Sequence, residues 1–328
     1  MNKIESVEQV YLAVNAFRQS RVILTAVELG VFTAIDAGAA CSADVATACA
    51  TDHRATDRLM NALVGMGLLE KDAERFRNAD LAARHLVKGR SGYLGNLAHL
   101  NNLWDFWSGL TDSVRSGTAA VREATGDRDG SWLESFIAAM HHRGLPQAPP
   151  DINLIDLHDA AHVLDLGGGS GVYAMAMLQV KKELRATVFD LPEVIPITRR
   201  YIETAALSDR IDTLAGNYLV DDIGAGYDVI FLSAIIHSNA ASENAALMKK
   251  CADALNPGGQ VVVQDFIMEE DRVRPHGGAM FALNMLVATQ AGDTYTASEV
   301  QRWMEAAGLR DVICRDAPSG TTQIVGWK

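Results

Sequence analysis

The stretch Val163–Gly171 reads Val-Leu-Asp-Leu-Gly-Gly-Gly-Ser-Gly. A short apolar run ends in Asp165, a glycine cluster follows at once, and Val172–Val180 then has the apolar density of a helix. Strand, tight turn and helix start in that order place backbone where it can come close to a ligand. Gly167, Gly169 and Gly171 follow G-x-G-x-G, whereas the dinucleotide turn G-x-G-x-x-G needs glycine at 172, where Val172 stands. No lysine follows the glycines, as a phosphate loop requires. The turn alone allows either a phosphate or the amino-acid part of a nucleoside, so its neighbours decide.

Downstream of about residue 151 the pattern alternates strand and helix, which is the mark of a mostly parallel, doubly wound α/β sheet. Seven strands are expected at 162–166, 185–190, 210–215, 227–233, 260–266, 309–315 and 321–327. Helices are expected near 170–182, 193–206, 241–255, 276–290 and 297–307. The last two strands, joined through Pro318-Ser319-Gly320, should pair antiparallel.

Upstream, residues 1–90 predict short helices closed by a hairpin, which is a winged-helix pattern. Val22–Ile35 has helical spacing broken at Gly30, Ser42–Ala50 is a short helix with Ser42 as its expected N-cap, and Ala55–Met66 is amphipathic. Phe76-Arg77-Asn78 is the returning strand. Residues 91–150 are helical and aromatic, and Pro146–Pro150 is the expected boundary before a catalytic domain at 151–328.

Composition narrows the function. A winged helix raises DNA binding, but residues 1–100 hold eleven acidic and eleven basic side chains, and the whole chain carries a net charge of −12. Nucleic acid and anionic membranes are therefore disfavoured as partners, and a dimerisation or lid module fits better. No apolar run approaches the roughly 20 residues of a membrane span, and the first ten residues lack a signal-peptide core, so the cytoplasm is the expected compartment. Cys41, Cys49, Cys251 and Cys314 are scattered and the histidines lack ligand spacing, so neither disulfide nor metal is expected.

In an open α/β sheet, ligands bind at the carboxyl ends of the strands where the strand order reverses. The polar groups expected there are Asp165 with the glycines, Asp190-Leu191 after the second strand, Asn217-Tyr218 after the third, and Ser233 to His237 after the fourth. Asp190 suits a ribose hydroxyl, a role that can coexist with a helix N-cap ahead of Leu191-Pro192. An adenosyl ligand without phosphates fits the turn best.

These residues carry a family resemblance. VLDLGGGSG (163–171), VFDLPEVI (188–195), FLSAIIH (231–237), LNPGGQVVVQD (255–265) and TASEVQRWMEAAGL (296–309) resemble, in order, the S-adenosylmethionine-dependent O-methyltransferases of the caffeic acid and hydroxyneurosporene type. The resemblance implies a Rossmann-like seven-stranded methyltransferase sheet behind a winged-helix-like domain that forms a homodimer. It implies S-adenosyl-L-methionine bound by Asp165, Gly167, Gly169, Gly171, Asp190, Leu191, Asn217, Tyr218 and Ser233. It places His237 as general base with Asp265 as its orienting acid, because a phenol is little ionised at neutral pH and an imidazole can take its proton as the oxygen attacks. Phe136, Met140 and Met285 align with residues that pack an aromatic hydroxyl acceptor, although such stripes also serve as plain core. The family's second acid aligns with Thr294, and Ser238 and Asn239 replace an acid and a tryptophan, which leaves Asp293 as a substitute partner. Two other functions remain open on sequence: a relative that binds the cofactor yet hydroxylates or decarboxylates, and a winged-helix regulator that senses a ligand.

Overall fold

The computed structural model describes residues 3–120 and 130–328, in two compact units, Met1–Trp104 and Asp105–Lys328. The first unit packs helices Phe17–Glu28, Val31–Asp36, Ser42–Ala48, His53–Gly65 and Asp80–His85 around Phe32, Met60, Leu63 and Phe76. Gly30 breaks the long apolar stretch as expected, in the left-handed region at φ 76°. The helix at 42 is capped one residue earlier than expected. Cys41 is the N-cap, its amide donates to Asp44 Oδ2 at 3.3 Å, and Ser42 is buried with its hydroxyl 3.1 Å from His53. The wing is an antiparallel pair, β1 (Leu69–Asp72) and β2 (Arg75–Asn78). Ahead of this core the helix Val7–Asn15 buries none of its residues and exposes Val7, Val10, Tyr11, Leu12 and Val14.

The second unit is built on seven strands: β3 (His162–Leu166), β4 (Arg185–Asp190), β5 (Ile211–Ala215), β6 (Tyr227–Ser233), β7 (Leu255–Asp265), β8 (Arg310–Asp316) and β9 (Thr322–Trp327). Their order is β5-β4-β3-β6-β7-β9-β8, parallel except for β9, which runs antiparallel to both β7 and β8. Alternate residues feed opposite cores, as the pleat requires. Leu164, Leu166, Ile230, Leu232, Val261 and Val263 face the helices Ala241–Ala254 and Ala297–Ala306. Val163, Val188, Val229, Phe231 and Val262 face the helices Val172–Val180 and Ile195–Thr204 and the end of Gly130–Ile152.

Pro146–Pro150 does not interrupt the chain. The helix Gly130–Ile152 runs through all three prolines, although each removes a backbone donor. Tertiary contacts hold its last turn. Ala148 and Ile152 are fully buried, and Asp151 accepts from Gln264 Nε2 (2.9 Å) and Ser319 N (3.0 Å) while its carbonyl accepts from Gln323 Nε2 (3.0 Å). Residue types that punctuate an isolated chain are here overridden by a buried polar junction.

The glycine turn joins β3 to the helix Val172–Val180. Gly167, Gly169 and Gly171 all have positive φ, at 68°, 56° and 75°. The Gly167 amide donates to Phe189 O at 2.7 Å, which ties the turn to β4. Asp165 lies beneath it, 1% exposed, accepting the Ala174 amide at 3.1 Å, and a Cβ at Gly168 would sit 2.6 Å from its carboxyl carbon. Burial pushes the Asp165 carboxyl up to about 7, the Ala174 amide opposes the shift and the charge of Asp190 adds to it. A carboxyl raised on folding stabilises the fold below its unfolded value, near ~4, and loses that contribution as pH rises through its folded value. Asp165→Asn is therefore expected to gain stability relative to the parent protein between pH 4.5 and 7.5, by about 3 kcal/mol in ligand-free urea unfolding. A difference between the two proteins that stays constant with pH would show that this carboxyl does not titrate in the range.

Candidate active site

β3 pairs with β4 on one side and with β6 on the other, so the strand order reverses at β3 and a crevice opens beyond the strand ends. Asp190 closes β4 at this edge. Its Oδ2 accepts the Gly169 amide and its Oδ1 the Leu191 amide, both at 2.7 Å, and burial raises its carboxyl above the ordinary range. Asp190 is thus both the brace of the glycine turn and a carboxylate at the crevice. Leu191 follows it, 39% exposed. Asp165, by contrast, acts from below the turn.

The loop after β5 holds Asn217 and Tyr218. Asn217 Oδ1 accepts the Leu219 amide (3.0 Å), and its own amide donates to Asp221 (2.8 Å), so the side chain shapes the loop. Tyr218 reaches further. Its ring edge is 3.8 Å from a Cβ built at Gly167, and its hydroxyl donates to Asn239 Oδ1 at 3.1 Å. Ser233 closes β6 beside the Tyr173 phenol, which burial pushes up and which accepts from Gln264 Nε2 at 3.0 Å.

His237 sits on a single 3₁₀ turn, Ile236–Ser238, just past β6. Its Nδ1 is 2.7 Å from Asp265 Oδ1, the last residue of the neighbouring β7, and the two side chains are 12% and 1% exposed. Asp265 Oδ1 also accepts the Phe266 amide at 2.8 Å. An ionised carboxylate only accepts, so Nδ1 carries the hydrogen and Nε2 presents a lone pair. Phe281 meets the imidazole edge-on at 4.8 Å, and Phe266 packs against Phe281 at 4.6 Å. The imidazole is therefore wrapped in aromatic surface.

The turn that carries His237 is fixed from behind. Asn239, 4% exposed, accepts from Tyr218 and donates to Asn244 Oδ1 (3.0 Å), Asn244 donates to Ile236 O (2.8 Å), and Tyr295 donates to Asn239 O (2.6 Å). Asp293 also touches the turn through its backbone, its amide donating to His237 O at 3.0 Å, and a Cβ at the adjacent Gly292 would lie 2.4 Å from that oxygen. The Asp293 carboxylate is directed elsewhere, to the Thr294 amide (2.8 Å) and to Arg272 (3.6 Å). Thr294 itself is buried.

Of the residues expected at the acceptor, Met285 is buried one helical turn from Phe281. Phe136 stacks on Trp132 at 5.5 Å and joins the cluster of Ile137, Val194 and Ile197, while Met140 is half-buried one turn further on. The neighbouring face of that helix meets the glycine turn: His141 Nδ1 is 2.9 Å from Ser170 Oγ and its ring stacks on Tyr201 at 4.1 Å. Phe266 and the network around Asn239 were not legible in sequence. Phe266 carries no motif, although its place directly after Asp265 is a signal of position.

Comparison with known proteins agrees with this geometry. Residues 107–310 match the O-methyltransferase domain family, and residues 11–88 match the O-methyltransferase dimerisation domain. The 3-hydroxy-5-methyl-1-naphthoate 3-O-methyltransferase of Streptomyces sahachiroi is 30% identical, covering 94% of this chain and 91% of its own. The tetracenomycin polyketide synthesis 8-O-methyltransferase of Streptomyces glaucescens is also 30% identical, over 95% and 94%. Among solved structures, an O-methyltransferase family protein from Burkholderia thailandensis superposes with a TM-score of 0.87 at 27% identity, over 99% of each chain. The chain therefore belongs to the S-adenosylmethionine-dependent O-methyltransferases, with that family's dimerisation domain ahead of its catalytic one.

Proposed function

We propose that this enzyme methylates a hydroxyl of an aromatic small molecule, with His237 as general base and Asp265 as the group that orients it. The observation that carries the reading is the buried 2.7 Å His237–Asp265 pair at the open edge of the sheet, faced by Phe281 and Phe266. The two Streptomyces relatives, whose names specify a naphthoate and a polyketide, favour an aromatic acceptor over other alcohols. Membership of the family argues against the regulator, and the complete dyad argues against a hydroxylase or decarboxylase.

The cofactor's chemistry suits the crevice. The glycine turn brings no lysine, and the Asp190 carboxylate accepts its Gly169 amide. That charge repels phosphates and favours a ligand with a cationic centre. Bound S-adenosylmethionine supplies a methyl group on a positive sulfonium, which departs as a neutral thioether. Gly167, Gly169 and Gly171 let the backbone approach its amino-acid part, Asp190 accepts the ribose hydroxyls beside Leu191, and Tyr218, Asn217 and Ser233 border the remainder. His237 Nε2 accepts the acceptor's hydroxyl proton as the oxygen's lone pair forms the new carbon–oxygen bond. Asp265 keeps the lone pair on Nε2 and stabilises the imidazolium that results. Met285 and Met140, with Phe136, complete the apolar wall that excludes water from the oxygen.

His237→Ala is expected to lower kcat by ~10²–10⁴-fold with a phenolic acceptor, while S-adenosylhomocysteine binds in calorimetry as before. Asp265→Asn should also lose turnover, and either variant retaining full activity would remove the base assignment. Asp190→Ala should instead weaken the binding of S-adenosylhomocysteine by at least ~10-fold, the loss of a carboxylate that accepts hydrogen bonds. Unchanged affinity would count against the ribose contact.

The exposed apolar helix Val7–Asn15 is the surface we assign to a homodimer. Leu12→Glu together with Val7→Glu should convert the sedimenting species from dimer to monomer. A dimer that survives both charges would place the interface elsewhere.

A further inference from the structure

Arg143 lies on the helix Gly130–Ile152, three residues beyond Met140 and so on the same stripe. Its guanidinium is 5.3 Å from the centroid of the Phe266 ring. Phe266 lies 6.5 Å from the His237 imidazole, so one aromatic ring separates this cation from the base. Arg185, Arg200, Arg272 and Arg274 of this unit each face a carboxylate, whereas Arg199 and Arg210 donate to hydroxyl or carbonyl oxygens. Among the described residues Arg143 has an aromatic face and no carboxylate partner. Arg143 is exposed, so its guanidinium can be reached by a ligand at the edge of the apolar wall.

We propose that Arg143 is a carboxylate-binding residue of the active site. A planar guanidinium held flat over a ring offers its remaining N–H donors as a fork, and that fork matches a carboxylate in two parallel hydrogen bonds. The proposal rests on the function argued above, because it takes the crevice to hold both donor and acceptor. Two carboxylates meet its requirements. One is a carboxylate on the aromatic acceptor, whose ring would lie along Phe266 and Phe281 with its hydroxyl at His237. The other is the amino-acid carboxylate of the cofactor. The position of Phe266, on the His237 side of the crevice, favours the acceptor, and the two sources separate in one experiment.

The experiment compares binding by calorimetry to the parent protein, Arg143→Gln and Arg143→Lys. One pair of probes is a hydroxynaphthoic acid and its methyl ester; the other is S-adenosylhomocysteine and methylthioadenosine, which lacks the amino-acid carboxylate. Arg143→Gln is expected to weaken the hydroxynaphthoic acid by about 10- to 100-fold while the ester is unaffected, and Arg143→Lys should recover part of the loss. The same selective loss for S-adenosylhomocysteine against methylthioadenosine would assign the residue to the cofactor's carboxylate instead. A parent preference for the carboxylate-bearing probes that survives Arg143→Gln, or its absence in the parent for both pairs, overturns the proposal. So does an equal loss within each pair. Because every arm reads binding, a failure to methylate any aryl hydroxyl would strike the proposed reaction without altering this result.

Discussion

Parallel pairing of β3 with both β4 and β6 is the constraint on which everything else in the catalytic unit depends. Because the strand order reverses at β3, the connections after β3 and after its neighbour β6 leave in opposite directions, and a gap opens at the carboxyl ends between them. Into that gap come Asp190 from one side and His237 from the other, with the glycine turn between. The chemistry therefore does not need long-range coincidence of distant loops.

The polar groups behind the edge decide how well it holds its shape. Asn239, Asn244, Tyr218 and Tyr295 form a buried, mutually satisfied set that clamps the 3₁₀ turn under His237. A half-satisfied network of this kind would cost more than an apolar one, so its completeness is what makes it useful. Tyr218 gives the set a second role, since the same ring borders Gly167 and its hydroxyl bonds Asn239, next to the His237 turn, so one side chain links the glycine turn to the His237 turn. Asp293 is used in the same spirit, as a backbone donor to His237, while its carboxylate serves Arg272 and Thr294. The imidazole is left with a single acid, Asp265.

The strands and helices of the second unit were legible because period-two runs such as Val261-Val262-Val263 and capped helices such as Thr296-Glu299 express local rules that the packing also obeys. His237, Asp265 and the glycines stand out in the sequence as candidates because they fall at strand ends or in the turns just past them, where the structure also places them. Pro146–Pro150 was misread since the forces that keep this helix intact, Asp151 against Gln264 and Gln323, come from residues more than a hundred positions away. Ser42 was displaced as N-cap by Cys41 because its hydroxyl is taken by His53. Asn239 looked like a loss relative to the family's tryptophan, and its value emerges only when Tyr218, Asn244 and Tyr295 are seen around it. A sequence records which residue stands at a position and not how many partners it will find there.

The electrostatics of the crevice follow from the same arrangement. Two carboxyl groups bracket the glycine turn; burial pushes Asp165 up to about 7, with the charge of Asp190 adding to the shift, and burial also raises Asp190. In a low-dielectric site this is a standing cost that a cationic ligand removes and an anionic one increases. Asp165, buried beneath the turn, acts on it through its field and through the bond it accepts from the Ala174 amide.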